Sequence, residues 1–85
     1  MHWVKRVKYL YEFIIELEFN DGQVRYIDLS GIVGGTGIFQ PLKNIDYFKT
    51  VSIDAVGNSI CWDNGADICP DTLYENSFNN KEFIR

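Results

Sequence analysis

Residues 12–19 alternate so regularly that they admit few folds: Phe13, Ile15, Leu17 and Phe19 fall on one side of an extended chain, with Glu12, Glu16 and Glu18 on the other. A strand with one dry and one wet face belongs in an antiparallel sheet. Asn20-Asp21-Gly22 follows, and Asp-Gly accepts the positive φ values of a two-residue hairpin turn, so residues 23–29 are expected to return as a second strand. Centred on Asp21-Gly22, that hairpin would set Phe19 against Val24, Leu17 against Tyr26 and Glu18 against Arg25.

Residues 3–10 mix β-branched and aromatic residues with Lys5, Arg6 and Lys8, which suits an edge strand beside the hairpin. Four glycines in residues 31–37 read as a mobile loop and not as an element. A helix over residues 42–49 would carry Leu42, Ile45 and Phe48 as its apolar stripe. Residues 51–56 and 59–62 flank Gly57-Asn58, a type II′ candidate. That second hairpin would place Val51, Ile53, Ala55, Ile60 and Trp62 on one face, and Ser52, Asp54, Cys61 and Asp63 on the other. Asn64-Gly65 marks another tight turn, residues 66–68 are extended, and Pro70 opens a last short helix with Cys69 at its cap and Asp71 in its first turn. From Asn76 onward the chain is expected to fray. The fold class expected is α+β: a small antiparallel sheet built from two β-hairpins and an N-terminal strand, packed with two short helices in one domain over residues 1–85.

With 85 residues there is room for one core, and six Phe, five Tyr and two Trp help to fill it. A net charge of -4 opposes a phosphate-tracking role, so nucleic acid is not the expected partner. The charge is uneven: between Lys49 and Lys81 the chain carries Asp54, Asp63, Asp67, Asp71 and Glu75 with no Lys or Arg. An acidic face of this kind steers basic partners, or simply keeps a domain soluble. Two cysteines are too few for a disulfide scaffold, so a reducing cytoplasm is expected, with both thiols free and at least one buried. No apolar run is long enough to span a bilayer.

No complete catalytic signature is present, so no enzyme activity and no cofactor are expected. Asp63, Asn64 and Asp67 gather oxygen ligands, but at a spacing foreign to the calcium loop; turn-stabilising side chains explain them better, and no metal is expected. Gly34, Gly35 and Gly37 offer backbone N–H groups without the following Lys-Ser/Thr of a phosphate loop, and read as a connection or a partner contact. Cys69 at a helix start is the one candidate nucleophile. The sole histidine, His2, lies at a terminus expected to be mobile and solvent-exposed, far from any Cys-His pairing. Trp3, Tyr9, Tyr11 and Tyr26 near the basic strand could stack on bases, but alternation sends strand neighbours to opposite faces.

The Asn-Asp-Gly hairpin, Tyr26-Ile27-Asp28-Leu29-Ser30, Phe39-Gln40-Pro41-Leu42-Lys43-Asn44, and the closing run Trp62-Asp63-Asn64-Gly65-Ala66-Asp67-Ile68-Cys69-Pro70-Asp71-Thr72-Leu73-Tyr74 together resemble the small prokaryotic family DUF2442, over nearly the whole chain. Where the family usually has Pro between the Trp and the Asn, this chain has Asp63, which makes the turn more acidic. The resemblance implies an α+β domain in a prokaryotic cytoplasm, often encoded beside another small protein, and supplies no catalytic residues. The residues of the shared motif, Trp62, Asn64, Gly65, Ala66, Asp67, Pro70, Asp71, Leu73 and Tyr74, are expected to serve the scaffold: Trp62 anchors the second hairpin in the core, Asn64-Gly65 makes the turn, Asp67 ties it to nearby backbone, and Pro70-Asp71 starts a helix over a sheet edge. Contact with a protein partner or a second copy is then expected of Asp63, Asp67, Asp71, Glu75, Gly34, Gly35 and Gly37. A nucleic-acid-associated regulator, and a thiol enzyme using Cys69, are the alternatives.

Overall fold

Ile15, Leu17 and Phe19 are fully buried, as their alternation requires, and the strand that carries them is central in its sheet. A computed structural model describes residues 1–79 of the chain. In it β1 (Val4–Tyr11), β2 (Ile14–Phe19) and β3 (Val24–Asp28) form an antiparallel sheet in chain order. A one-turn helix α1 (Ser30–Val33), a 3-10 segment (Gly37–Lys43) and a second one-turn helix α2 (Ile45–Phe48) cross to a second antiparallel sheet. That sheet comprises β4 (Ser52–Asp54), β5 (Ser59–Cys61) and β6 (Asp67–Ile68), and α3 (Pro70–Glu75) follows it. The α+β class is as expected; the two hairpins occupy separate sheets, each completed by a third strand. The sheets meet where β1 runs beside β4 and β5 and the Val4 amide donates to the Asn58 carbonyl at 2.9 Å.

The first hairpin differs from expectation by one residue. Glu18 pairs with Val24, Leu17 with Arg25 and Ile15 with Ile27. The loop takes all of Asn20-Asp21-Gly22: Phe19 and Gln23 pair across it, the Gly22 amide donates to the Phe19 carbonyl, and Gly22 has φ +88°. A type I turn ending in a left-handed glycine uses one residue more than the two-residue turn, and a one-residue slip exchanges the faces. Ile27 is therefore buried and Val24 exposed. Glu18 answers Lys5 at 3.7 Å and Arg6 at 3.6 Å instead of Arg25.

The second hairpin closes through a four-residue loop, because Asp54 pairs with Ser59 and Ile53 with Ile60. Asn58, at φ +59°, takes the left-handed position expected of Gly57. The shift is by two residues, so the faces survive, although Ile53 stays partly exposed while Ile60 and Trp62 are buried. The turn at Asn64-Gly65 repeats the first hairpin's design: Trp62 N donates to Ala66 O, Gly65 N donates to Trp62 O, and Gly65 has φ +93°.

Two helical expectations are corrected. Residues 30–33 of the glycine-rich stretch form α1, pulled into shape by Leu29 and Val33, both buried. The helix expected over 42–49 breaks at Asn44, whose side chain accepts from the Asp46 amide at 2.9 Å and caps α2. Leu42 and Phe48 reach the core across that break, whereas Ile45 is exposed. Phe48 is the hub: Phe13, Tyr9 and Trp62 surround it at ring separations of 5.1, 6.0 and 5.7 Å. Of the cysteines, Cys61 is half-buried and Cys69 exposed, so neither is the buried small hydrophobe expected.

The outer edge of β3 is covered by the segment after α3, not by α3 itself: Tyr26 and Phe78 exchange backbone hydrogen bonds of 2.7 and 2.8 Å. Ser77 is buried beneath it, so the fraying expected from Asn76 meets two ordered contacts, at Ser77 and Phe78. The rest of that expectation, on residues 80–85, lies outside the described residues. Among those described, no helix is long and apolar enough to cross a membrane.

Candidate functional site

Local chemistry sets the turn at residues 62–66. Trp62 is buried and its Nε1 donates to the Phe48 carbonyl at 2.8 Å, so the indole ties the second sheet to α2. Asn64 makes three hydrogen bonds: its Oδ1 accepts from Ala66 N at 3.0 Å, its Nδ2 donates to Ile38 O at 2.9 Å, and its amide donates to the Tyr47 hydroxyl at 2.8 Å. The tie expected of Asp67 is made by Asn64; Asp67 is exposed, and its carboxylate makes no hydrogen bond among the described residues. Asn64→Asp keeps the Oδ1 acceptor but turns a second oxygen toward Ile38 O, and should cost about 1–3 kcal/mol. Urea unfolding would show it as a lower midpoint at unchanged slope, while Asp63→Asn at the exposed neighbouring position leaves the midpoint where it was.

A second cluster joins parts of the chain that nothing in the sequence links. His2, expected to be free, docks on α3: its amide and its Nδ1 approach the same Asp71 oxygen at 3.0 and 3.2 Å. Its ring stacks on Tyr74 at 3.6 Å and meets the edge of Phe19 at 6.2 Å. The Tyr74 hydroxyl donates to Asp21 in the first hairpin loop at 3.0 Å, and the Arg25 guanidinium lies 4.4 Å from the Tyr74 ring centre. Arg25 also donates to Ser77 Oγ at 2.6 Å and to Ser77 O at 2.7 Å. Tyr74 thus clasps the N-terminal segment, the hairpin loop and the C-terminal segment together.

The clasp has an acid limit. The backbone and side-chain hydrogen bonds from His2 hold Asp71 below the ordinary carboxylate value of 3.8. Asp21 is lowered first by the Gln23 amide and then by the Tyr74 hydroxyl. A group whose pKa is lower folded than unfolded contributes stability that is present above its unfolded value and lost as pH falls through the folded one. Below about pH 3.8 the clasp should therefore loosen. NMR of the His2 ring against Tyr74 would show it, and Asp71→Asn should shrink the acid-side loss of stability.

The residues expected to make contacts fall into three groups. Asp63, Asp67 and Glu75 are exposed, whereas Asp71 is half-buried and engaged by His2. Gly34 caps α1, a Cβ at Gly35 would sit tightly at 3.2 Å from the Ile32 carbonyl, and Gly37 has φ +66°. These glycines serve the path between two helical turns. Ala66 and Leu73 are buried, and Pro70 opens α3. Cys69 caps α3 without a side-chain hydrogen bond, and the only imidazole is committed to Asp71 and Tyr74. Among the described residues no three His, Cys, Asp or Glu side chains gather as they would around a metal ion. The aromatic platform does not assemble, since Tyr9 packs on the core while Tyr26 lies on the opposite face of the sheet.

Neither the curated proteins nor the solved structures include a match to this chain. The family model described as Protein of unknown function (DUF2442) matches residues 4–79, from the first residue of β1 to the segment that covers β3. That span takes in the two glycine-ended loops, at Asn20-Asp21-Gly22 and at Trp62–Ala66, and the Tyr74 clasp except for His2, and the chain belongs to the DUF2442 family.

Proposed function

We propose that this domain acts by binding a protein, as an interaction module and the regulatory or antitoxin-like partner of a small basic protein encoded nearby. The observation that carries this reading is the division of labour within the family residues. Trp62, Asn64, Gly65, Ala66, Leu73 and Tyr74 are spent on the scaffold, while the charged side chains left exposed in that half, Asp63, Asp67 and Glu75, are all acidic and make no ion pair among the described residues. Unpaired charges of one sign raise the encounter rate with an oppositely charged surface. Nucleic-acid contact through β1 has less support, because Glu18 already answers Lys5 and Arg6.

Co-expression with the nearest small neighbour tests the reading. A complex that co-elutes in size exclusion, weakens with added salt and is lost on reversing Asp63, Asp67 and Glu75 to Lys is the expected result. A neighbour that elutes separately at low salt, or a complex indifferent to the reversals, overturns it.

A further inference from the structure

Between β3, α1 and α3 lies a groove of about 250 Å³. Its apolar lining is Ile32, half-buried, and Ile68, which keeps a small exposed part, with the buried core residues Ile27, Leu29 and Leu73 beside them. Its rim is made by Asp28, Thr72 and Asn76, and among the described residues no cation lines it.

The rim groups are mostly acceptors. One Asp28 oxygen takes the Ser30 amide at 2.9 Å and the other has no hydrogen bond among the described residues. Asn76 spends its Nδ2 on the Thr72 carbonyl at 2.8 Å, and among the described residues neither its Oδ1 nor the Thr72 hydroxyl has a hydrogen-bond partner. An apolar floor with acceptors and one carboxylate at the rim suits a side chain with a long aliphatic stem and several donors at its tip. Guanidinium meets that description better than ammonium, because its planar fork reaches a carboxylate and neighbouring oxygens at once. The setting adds to the bias, since the chain from residue 50 to residue 80 carries five carboxylates and no Lys or Arg.

Resting on the protein-binding reading above, we propose that this groove is the docking point for an arginine side chain of the partner protein. Asp28 pairs with the guanidinium, Thr72 and Asn76 fix its orientation, and the stem lies over Ile32 and Ile68. The test is NMR titration of the full chain with N-acetyl-arginine amide, against N-acetyl-citrulline amide as the uncharged equivalent. Shifts concentrated at Gly31, Thr72 and Asn76, with a dissociation constant on the order of millimolar for arginine and none resolved for citrulline, are expected.

Two substitutions separate charge from shape. Asp28→Asn keeps the acceptor for Ser30 and should weaken binding about tenfold. Gly31→Leu leaves the charge untouched and fills the mouth of the groove; a Cβ at Gly31 meets nothing within 4 Å, and a helical glycine gains from replacement, so this variant folds and loses the response. Equal response to citrulline, or full response in either variant, overturns the proposal. So does a response that appears only after Arg85→Ala, which would make the chain's own arginine the occupant. Concentration-dependent shifts at the same amides without probe would instead mark a second copy. If the co-expressed complex survives both variants, the groove is wrong and the binding reading stands; if arginine amide binds but no neighbour co-elutes, the reverse holds.

Discussion

Trp62→Ala should cost about 3–5 kcal/mol, the range for deleting a buried aromatic side chain. A chain of 85 residues has roughly 4–13 kcal/mol in total at ordinary stability per residue, so the variant will be marginal or unfolded. The size of the effect follows from position. The indole is 2% exposed, lies 5.7 Å from Phe48 and donates to the Phe48 carbonyl, so it links the second sheet to the helical crossover through shape and polarity together. Trp62→Phe separates the two. It keeps most of the apolar volume, and the Phe48 carbonyl retains the Val51 amide at 3.2 Å, so the loss should be about 1–2 kcal/mol. Far-UV circular dichroism in urea is the suitable readout, because Trp3 is half exposed and would dominate residual fluorescence. An alanine variant within about 1 kcal/mol of the parent would mean that the second sheet is held by something other than Trp62.

Period-two alternation survives tertiary context, and that is why β2 and the buried set Ile15, Leu17 and Phe19 were legible in the sequence. Pairing register was less so. Asn20-Asp21-Gly22 fits a two-residue and a three-residue loop equally well by composition, and the choice was made by Asp21, which accepts from the Gln23 amide at 3.0 Å, and by burial of Ile27. Asn64 accepts from Ala66 in the same way, so the two loops are one solution used twice. The break at Asn44 was signalled by an N-cap residue lying inside an apolar stripe, a case where local capping outweighs periodicity. Glu12, at φ +50° between β1 and β2, carried no turn signal at all. The candidate site divides the same way: the Trp62–Ala66 turn was readable from its Asn-Gly, but the contact of His2 with Asp71 spans 69 positions and leaves no local pattern.

Tyr74 is where those unsignalled contacts converge, and its replacement should show how much they hold. The ring is stacked by His2 at 3.6 Å, met by Phe19 at 4.9 Å and faced by Arg25 at 4.4 Å. Tyr74→Ala should cost about 2–4 kcal/mol, less than a fully buried aromatic because the ring is only partly covered. It should also release the N-terminal segment, seen as loss of the His2 ring-current shift and faster proteolysis before β1. Tyr74→Phe keeps every ring contact and loses only the solvent-exposed donation to Asp21, so His2 stays docked and the cost should be small beside that of the alanine variant. The phenylalanine variant has a further signature. The Asp21 hydrogen bond, then desolvation, raise the Tyr74 hydroxyl above its ordinary value of 10.0. Stability from a group raised on folding is complete below the unfolded value and is lost as pH rises through the folded one. Tyr74→Phe should therefore remove part of the alkaline loss of stability, leaving the share of Tyr26, which burial and the neighbouring Glu16 carboxylate also raise. If the alkaline limb is unchanged in Tyr74→Phe, the hydroxyl contributes nothing through Asp21, and the clasp rests on its ring contacts and on the hydrogen bonds of His2 with Asp71 and of Arg25 with Ser77.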